Sequence, residues 1–379
     1  MRVLVITDAW HPQVNGVVRT YERLGHEARK LGFDFSFLGP EAFYTLPCPT
    51  YPEIRLALAT PRHVAREIES TVPDFIHIAT EGPLGLMARS YCRKRRRPFT
   101  TSYHTRFPEY IAARLPVPEA WSYRVQRWFH DDAAAVFVPT PSIAAELAAH
   151  GFRKLRLWSR GVDTTLFRPR SVREFGFEPV FLYVGRIAVE KNIEAFLTLD
   201  LPGRKVLVGD GPQLAELRQR FPDALFTGHR EGEALAEAYA SADVFVFPSR
   251  TDTFGLVLLE ALASGVPVAA FPVCGPKDVI TDPSAGSLDE DLGNAARCAL
   301  SLTKDAARSL ALRFSWEHSA RQFLENMLEA QETGILEPDA CAVGCAAKKK
   351  AARWGDIGPP DMRQFGDAFG GHSRPTRDG

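Results

Sequence analysis

The segment DVFVFPSRTDTFGLVLLEALASGVPVAAF, residues 243–271, contains a strand pattern, a helix pattern and a second strand pattern. The first apolar run ends at Pro248, a helical apolar run begins at Leu256, and a short β-branched run follows Gly265. Apolar runs bounded by turn residues, with a helical pattern between them, are typical of parallel strands that are buried on both faces. The segment therefore predicts an α/β fold.

The same alternation occupies most of the 379 residues, which is about twice the length of a typical domain. A polar stretch without periodicity, residues 163–179, separates two series of strands and predicts a linker. We predict two doubly wound domains, residues 1–165 and 178–314, and a terminal helix over residues 315–330. Residues 331–379 are rich in Gly, Pro and charged residues, which predicts a disordered tail. The predicted strands are residues 2–7, 34–39, 74–79, 98–104 and 135–140, then 180–186, 205–210, 224–229, 243–249 and 266–271.

Charge is distributed unevenly along the chain, although its formal net value is zero. Residues 1–170 contain 24 Lys and Arg against 16 Asp and Glu, a balance of +8, and the remainder carries −8. Much of the excess is the run RKRRR, Arg93 to Arg97. Such a run can bind anionic lipid or nucleic acid, and the alternative is a solvated turn before the next strand.

The cysteines and the apolar runs limit the possible locations of the protein. Six Cys are scattered without a CxxC pair or a His cluster at metal spacing, so neither a disulfide framework nor a zinc site is indicated. The apolar run at the N-terminus is too short for a signal peptide, and no stretch approaches the ~18 apolar residues of a membrane span. We expect a cytoplasmic protein whose membrane contact, if it has one, is peripheral.

Several predicted strands end in loops whose residues suit ligand binding. Gly16 opens a helix after the loop DAWHPQVNG, which lacks the G-x-G-x-x-G fingerprint of NAD and FAD enzymes. His104 ends a strand, where ligand contacts are common. Arg186 and Lys191 share one loop and together suit a diphosphate, and Gly211 follows another strand. The alternatives remain open: a turn glycine at each Gly, a structural His104, and solvated basic side chains.

Two carboxylates distinguish the opening segment. Asp252 and Glu260 are eight positions apart, a little over two helical turns, so both would lie roughly on one side if helical geometry held throughout. A shared ligand is one possible reason. Glu260 is surrounded by Leu and Ala in the sequence, so it needs either solvent or a hydroxyl partner. Asp252, Phe254 and Gly255 lie near the start of the helix.

Taken in order, these elements resemble the retaining family 4 glycosyltransferases. The resemblance rests on the Asn15-Gly16 loop, YHT, RGVD, YVGRIAVEKN, VGDGP and FVFPSRTDTFGLVLLEALASGVPVAA, and it covers roughly residues 1–330. It implies a GT-B type fold, in which two Rossmann-like domains face each other across a cleft. It also implies that Glu260 binds the ribose of a nucleotide-sugar donor and that Asp252 contacts the transferred sugar. This chain departs from the family at Asp252, where a Glu is usual.

The resemblance assigns further donor contacts. Arg186 and Lys191 would clamp the diphosphate, His104 would lie near the reacting sugar, and Gly16 would lie on the acceptor or phosphate side. Backbone N–H groups would reach the sugar or the phosphates from the donor loop, which consists of Thr253, Phe254, Gly255 and Leu256, and Gly211 belongs to the same donor-binding set. No metal or other cofactor is expected, because positive side chains and helix N-termini would stabilise the leaving diphosphate. The implied reaction retains the anomeric configuration, with front-side attack assisted by the leaving phosphate.

The acceptor is suggested by the form of three motifs, TDTFGLVLLEALASG, DAWHPQVNGVVRT and YHTRFPEY. They look most like the branch that glycosylates diacylglycerol or related lipids, which includes sulfoquinovosyl and mannosyl transferases. This implies a peripheral membrane enzyme that prefers a UDP-sugar, reaches a lipid acceptor through its basic first domain and binds no nucleic acid. The alternatives are a GDP-mannose-dependent or other transferase with a polysaccharide or soluble acceptor, and a nucleotide-sugar-binding protein without turnover.

Overall fold

The structure is a computed structural model, which describes residues 1–11, 15–48, 51–106, 118–176 and 178–334. Its described part contains two six-stranded sheets in which every strand pair is parallel, and one two-stranded antiparallel sheet. The predicted α/β class is therefore confirmed. Residues 335–379, which make up most of the predicted disordered tail, lie outside the described residues.

The first sheet has the strand order β2-β1-β5-β6-β7-β8. Its strands are β1 (Arg2–Ile6), β2 (Asp34–Leu38), β5 (Phe75–Ile78), β6 (Thr100–Ser102), β7 (Ala135–Val138) and β8 (Leu155–Leu157). A hairpin of β3 (Tyr44–Cys48) and β4 (Tyr51–Leu58) is inserted between β2 and β5. The accompanying helices are α1 (Gly16–Lys30), α2 (Pro61–Thr71), α3 (Pro83–Lys94), α4 (Glu119–His130) and α5 (Pro141–Ala149).

The second sheet has the order β11-β10-β9-β12-β13-β14, which is the Rossmann order. Its strands are β9 (Val180–Val184), β10 (Arg204–Val208), β11 (Leu225–Gly228), β12 (Val244–Phe247), β13 (Val268–Ala270) and β14 (Gly286–Leu288). The remaining helices are α6 (Ile193–Leu197), α7 (Leu214–Arg220), α8 (Gly232–Ala240), α9 (Leu256–Ala263), α10 (Pro276–Val279), α11 (Leu292–Ala299), α12 (Lys304–Ala311) and α13 (Trp316–Gly334).

Local sequence signals explain several helix ends. The side chain of Asn15 caps α1 by accepting hydrogen bonds from the backbone N–H groups of Val17 and Val18, both at 3.0 Å. Gly32 follows the end of α1 with a left-handed φ of 82°, as its sequence position predicts. Thr140 caps α5 in the same way as Asn15 caps α1.

The terminal helix α13 returns to the first sheet. Its Phe323 packs in one core with Phe137 of β7 and Trp158, and the Trp158 indole donates a hydrogen bond to Ser319 Oγ at 3.1 Å. The helix ends at Gly334, four residues beyond the predicted terminal helix. The sequence predicts this helix from its own periodicity, but which sheet it covers depends on contacts far away in the chain.

Two switch points in strand order mark where a ligand is expected. In the first sheet, β2 lies on one side of β1 and β5 lies on the other. In the second sheet, β10 and β12 flank β9 in the same way, so the strand order reverses at β1 and at β9. Open α/β sheets bind ligands in the crevice beyond the carboxyl ends of their strands at such points. The loops that follow β1, β9 and β12 contain the predicted residues Gly16, Lys191 and Asp252.

Candidate active site

An ion pair lies at the switch point of the second sheet. Lys191 Nζ, in the 3₁₀ turn after β9, donates to Asp252 Oδ1 at 2.6 Å in the loop after β12. The adjacent Asn192 amide donates to the Pro248 carbonyl at 3.1 Å, which ties the first loop to the end of β12. The other carboxylate oxygen, Asp252 Oδ2, is buried and has no hydrogen-bond partner among the described residues. A buried acceptor without a donor is costly, so this oxygen is suited to a ligand hydroxyl.

Glu260 is buried in the middle of α9 and has the hydroxyl partner that its sequence position requires. Tyr239 of α8 donates its hydroxyl to Glu260 Oε2 at 2.9 Å. Glu260 Oε1 lies 3.8 Å from Arg19 Nη1 of α1. Burial raises the pKa of the Glu260 carboxyl, while the positive charge of Arg19 and the Tyr239 hydrogen bond oppose the rise. The contact with Arg19 joins α1, beside the first sheet, to α9, beside the second.

The N-termini of α1 and α9 approach each other. A Cβ atom placed on Gly16, the first residue of α1, would lie 3.7 Å from Leu256 Cδ1 at the start of α9. Gly255 precedes α9 with a left-handed φ of 85°, which favours glycine. The first N–H groups of a helix lack partners within it and carry the positive end of the helix dipole. The end of α9 has no side-chain cap and is suited to an anion, whereas Asn15 already accepts from the Val17 and Val18 N–H groups of α1.

His104 connects this region to the first sheet. Its carbonyl accepts a hydrogen bond from Thr253 Oγ1 in the loop after β12, at 2.8 Å. Its ring contacts two buried groups: Arg160 Nη2 lies 3.4 Å from Nδ1, and the Tyr21 hydroxyl lies 2.9 Å from Nε2. The Tyr21 hydroxyl also lies 2.8 Å from His77 Nε2. These contacts form a chain of polar groups that runs from the site into the first core.

The partners of His104 define its protonation state. A guanidinium can only donate, so Nδ1 is the acceptor and the ring proton lies on Nε2, directed at the Tyr21 oxygen. Burial and the charge of Arg160 hold the pKa of His104 well below its usual value. Burial also lowers the pKa of His77 to about 3 and that of Arg160 to about 10. The imidazole of His104 is therefore neutral at pH 7, and both of its nitrogens are hydrogen-bonded.

Arg186 and Gly211 lie in neighbouring loops of the second sheet. Arg186 follows β9 and is half-buried, and its carbonyl accepts from the Tyr183 hydroxyl at 2.8 Å. Gly211 follows β10 with φ 156°, and a Cβ there would lie 2.3 Å from the Ile187 carbonyl oxygen. Close packing of the two loops therefore explains the glycine at position 211. Its role in donor binding stays a prediction.

The structure brings predicted residues together in two hydrogen bonds, Lys191 with Asp252 and Thr253 with His104, and it places Gly16 near the Leu256 side chain. Sequence reasoning missed four side chains that shape the site, namely Arg19, Tyr21, Arg160 and Tyr239. Arg19 could have been found, because it lies three residues after Gly16 and so on the same side of α1. The sequence gives no local signal for Tyr239, which is paired with Glu260 across two helices.

The described residues contain neither a cluster of metal ligands nor a helix that could span a membrane. Within the described ranges, no group of three or more His, Cys, Asp or Glu side chains is arranged to hold a metal ion. No helix in the part of the chain that the structure describes combines the length and apolar character needed to cross a bilayer.

The two Rossmann-like sheets, whose strand-end loops meet at one charged site, have the arrangement of the GT-B fold. The solved structure of sucrose-phosphate synthase from Thermosynechococcus elongatus has this fold, with a TM-score of 0.70 and 22% identity over 86% of this chain and 97% of that one. Residues 14–166 match the family described as Glycosyltransferase Family 4, and residues 178–305 match the family described as Glycosyl transferases group 1. The chain belongs to the family 4 glycosyltransferases and is a hexosyltransferase.

Three curated relatives support the assignment. The chain is 36% identical to a sulfoquinovosyl transferase of Arabidopsis thaliana over 65% of its own length, and it spans about half of that protein, 54%. It is 31% identical to a GDP-mannose-dependent alpha-mannosyltransferase of Mycobacterium tuberculosis, with coverage of 76% of this chain and 83% of the relative. It is 27% identical to an alpha-monoglucosyldiacylglycerol synthase of Streptococcus pneumoniae, with coverage of 89% and 86%. These names place the chain among glycolipid-related glycosyltransferases.

Proposed function

We propose that this enzyme transfers a sugar from a nucleoside-diphosphate sugar, with UDP as the favoured nucleotide, to a membrane lipid such as diacylglycerol. The proposed transfer retains the anomeric configuration and needs no metal ion. The observation that carries the donor half of the proposal is the Lys191–Asp252 pair with its unsatisfied oxygen, Asp252 Oδ2. It places a cation suited to phosphate beside an acceptor suited to a sugar hydroxyl.

The nucleotide half of the donor has a matching set of groups. Glu260 is proposed to bind the ribose: the Tyr239 hydroxyl donates to Oε2, and Oε1, which lies 3.8 Å from Arg19, would accept from a ribose hydroxyl. Lys191 and Arg186 are proposed to clamp the diphosphate, together with the uncapped N-terminus of α9. These groups would stabilise the charge that develops on the leaving diphosphate, and each such donor can be worth about 3 kcal/mol on the barrier.

The state of His104 bears on the proposed mechanism. With Nδ1 accepting from Arg160 and Nε2 donating to Tyr21, the ring has no lone pair available to accept a proton. His104 would therefore contribute shape and polarity beside the reacting sugar and would not act as a general base. The acceptor proton must then go to another group, and an oxygen of the leaving phosphate fits front-side attack with retention. The transfer breaks the bond between the anomeric carbon and the phosphate oxygen and forms a bond to the acceptor oxygen on the same face.

The proposed lipid acceptor is supported by two observations. A relative that covers 89% of this chain carries diacylglycerol in its name, and residues 1–170 have an excess of eight positive charges. Anionic membrane surfaces attract such domains. A second candidate, GDP-mannose as the donor, is favoured by the 31% identity with a GDP-mannose-dependent enzyme.

A donor screen tests the proposal. Purified enzyme is incubated with UDP- and GDP-linked sugars, with and without diacylglycerol, and the release of UDP and GDP is measured. UDP release that depends on diacylglycerol, with radiolabelled product in the organic phase, is the expected result. GDP release would favour the second candidate, and product in the aqueous phase would reject the lipid acceptor. Binding of a donor without release of either nucleotide would favour the alternative of a nucleotide-sugar-binding protein without turnover. Activity that is lost in EDTA and restored by a divalent ion would reject metal independence.

A further inference from the structure

Helix α4, in the first half of the chain, is turned so that its large apolar residues face solvent. Trp121, Val125 and Trp128 recur at spacings of four and three, so they form one stripe, and they are 57%, 42% and 51% exposed. The buried residues of the helix are Ser122, Tyr123, Gln126, Phe129 and His130. Four of these five carry polar groups, which is the reverse of an ordinary amphipathic helix on a soluble protein.

The buried face of α4 confirms that this orientation is costly. Ser122 Oγ and both polar atoms of the Gln126 amide are buried, and they have no hydrogen-bond partner among the described residues. Each such group costs stability when it is removed from water. Two bonded residues fix the orientation: Tyr123 donates to Glu146 at 2.8 Å, and His130 Nδ1 lies 2.9 Å from Thr101 Oγ1. Burying these polar groups and exposing the apolar stripe both cost free energy of folding, which an isolated soluble domain would avoid by turning the helix the other way.

Positive charge surrounds the stripe. Arg124 lies within it, Arg127 lies beside it, and the Arg89 guanidinium stacks on the Trp128 ring at 4.0 Å from its centroid. These residues line one surface depression together with Arg93, Asp131 and Asp132. Asp132 pairs with Arg89 and Arg93, and Asp131 lies 3.9 Å from Arg153 outside the depression. Four Arg against two Asp leave a positive excess beside two exposed Trp rings.

We propose that this outward face of α4 docks on an anionic membrane surface, with the Trp121, Val125 and Trp128 side chains in the headgroup region and the Arg93, Arg124 and Arg127 side chains on lipid phosphates, while the buried Arg89 holds the Trp128 ring. Trp is enriched at membrane interfaces because its ring is apolar while its N–H stays hydrated. Basic residues beside such rings bind anionic lipids. Three apolar side chains on one helix are also few for a stable protein interface, which takes roughly 20 residues a side. The inference rests on the proposed lipid acceptor.

The position of α4 suits delivery of a lipid to the site. The inward side of the helix contacts Thr101 of β6, and the same strand leads to His104. The stripe therefore lies on the side of α4 opposite to the strand that leads to His104. Only part of the RKRRR run belongs to this surface. Arg93 lies beside α4, whereas Arg95 pairs with Glu69 of α2 at 3.0 Å.

The test measures sedimentation of the full chain with vesicles of phosphatidylcholine, with and without phosphatidylglycerol. Wild-type protein is expected to bind only the anionic vesicles. The double variant Trp121→Ser/Trp128→Ser is expected to lose about tenfold or more in affinity, because two ring insertions are removed. Arg124→Ser should weaken binding and reduce its sensitivity to salt. Leu312→Ser is the matched control, since Leu312 is 56% exposed in the second half of the chain, and it should bind like wild type.

A second readout separates this docking surface from the proposed activity. The Trp double variant should lose transfer to diacylglycerol embedded in anionic vesicles but retain transfer to detergent-dispersed diacylglycerol, and its melting temperature should fall only slightly, through loss of the Arg89–Trp128 stacking contact. Wild-type protein that binds anionic vesicles without glycosylating any lipid would refute the acceptor and leave the surface in place. Unchanged vesicle binding by the double variant would overturn the surface. Conversion of a wild-type dimer to a monomer by the double variant, with vesicle binding retained, would instead assign this face to a second copy of the chain.

Discussion

Replacing Glu260 by Gln should weaken donor binding without destabilising the protein. The substitution keeps the shape of the side chain and removes a charge that is buried in α9. Burial raises the pKa of this carboxyl, so the folded protein binds a proton more tightly there than the unfolded chain does. A raised carboxyl pKa contributes stability below the unfolded pKa, and that contribution is lost as pH rises through the folded value. At pH 8 the charge is a cost, so removing it should leave the melting temperature unchanged or raise it.

The expected loss of donor affinity in Glu260→Gln follows from the proposed hydrogen bond between the carboxylate and the ribose. A hydroxyl bonded to a carboxylate contributes about 1.5–3 kcal/mol, whereas one bonded to a neutral amide contributes about 0.5–1.5 kcal/mol. The difference is about 1–1.5 kcal/mol, which corresponds to a rise of roughly 5- to 12-fold in donor KM. The value of kcat should change less, because the ribose is remote from the bond that breaks. Tyr239 can still donate to the amide oxygen of Gln, so the surrounding helices keep their contact.

Steady-state kinetics at varied donor concentration and thermal unfolding at pH 8 measure the two effects. Glu231→Gln is the matched control: Glu231 lies 3.5 Å from Arg19, as Glu260 does at 3.8 Å, but its side chain is 54% exposed. The control should leave both donor KM and melting temperature near wild-type values. A Glu260→Gln protein that melts several degrees lower and has an unchanged donor KM would refute the reasoning and make Glu260 a structural residue.

Three further predictions concern the same site. Lys191→Ala should lower kcat by about 10²-fold through lost stabilisation of the leaving group, measured at saturating donor; an unchanged kcat would remove Lys191 from the diphosphate clamp. Asp252→Glu, which moves the carboxylate one methylene further from the backbone, should change the order of preferred sugars in a donor screen, and an identical order would mean that Asp252 does not select the sugar. Tyr239→Phe removes a hydrogen bond that lowers the pKa of Glu260, so the acid limb of kcat/KM for the donor should move to higher pH; an unmoved limb would contradict this role.

The fold is largely predictable because its signals are local. Strands such as β1 and β12 are short apolar runs that end at turn residues, and Asn15 caps α1 through its own side chain. Edge elements give weaker signals. Strand β8 has three residues, two of them exposed, so it lacks the apolar run by which buried strands are recognised. The destination of α13 depends on Trp158 and Ser319, which are separated by 161 residues, and no local pattern encodes that contact.

The site is predictable only in part, for a related reason. The ends of neighbouring parallel strands meet at one edge of a sheet, so Lys191 and Asp252 are expected near each other although 61 residues separate them. The side chains that hold the site residues in place come from outside those loops. Tyr239 lies on the helix before β12, and Arg160 follows β8 of the first sheet. Their contribution is visible only when the helices and the two sheets are packed together.

The length of Asp252 has a consequence that a Glu at this position would not share. Its Oδ1 is already bonded to Lys191 at 2.6 Å, so the carboxylate is anchored close to the backbone and only Oδ2 remains for a sugar hydroxyl. A Glu would carry the carboxylate one methylene further from the loop and could turn both oxygens toward the sugar. A diphosphate held by Lys191 would also share the ammonium with Asp252, which couples the position of the phosphate to that of the sugar. We therefore expect the acid at position 252 to select among donor sugars through its reach and through its ion pair with Lys191, without a change in the proposed diphosphate clamp.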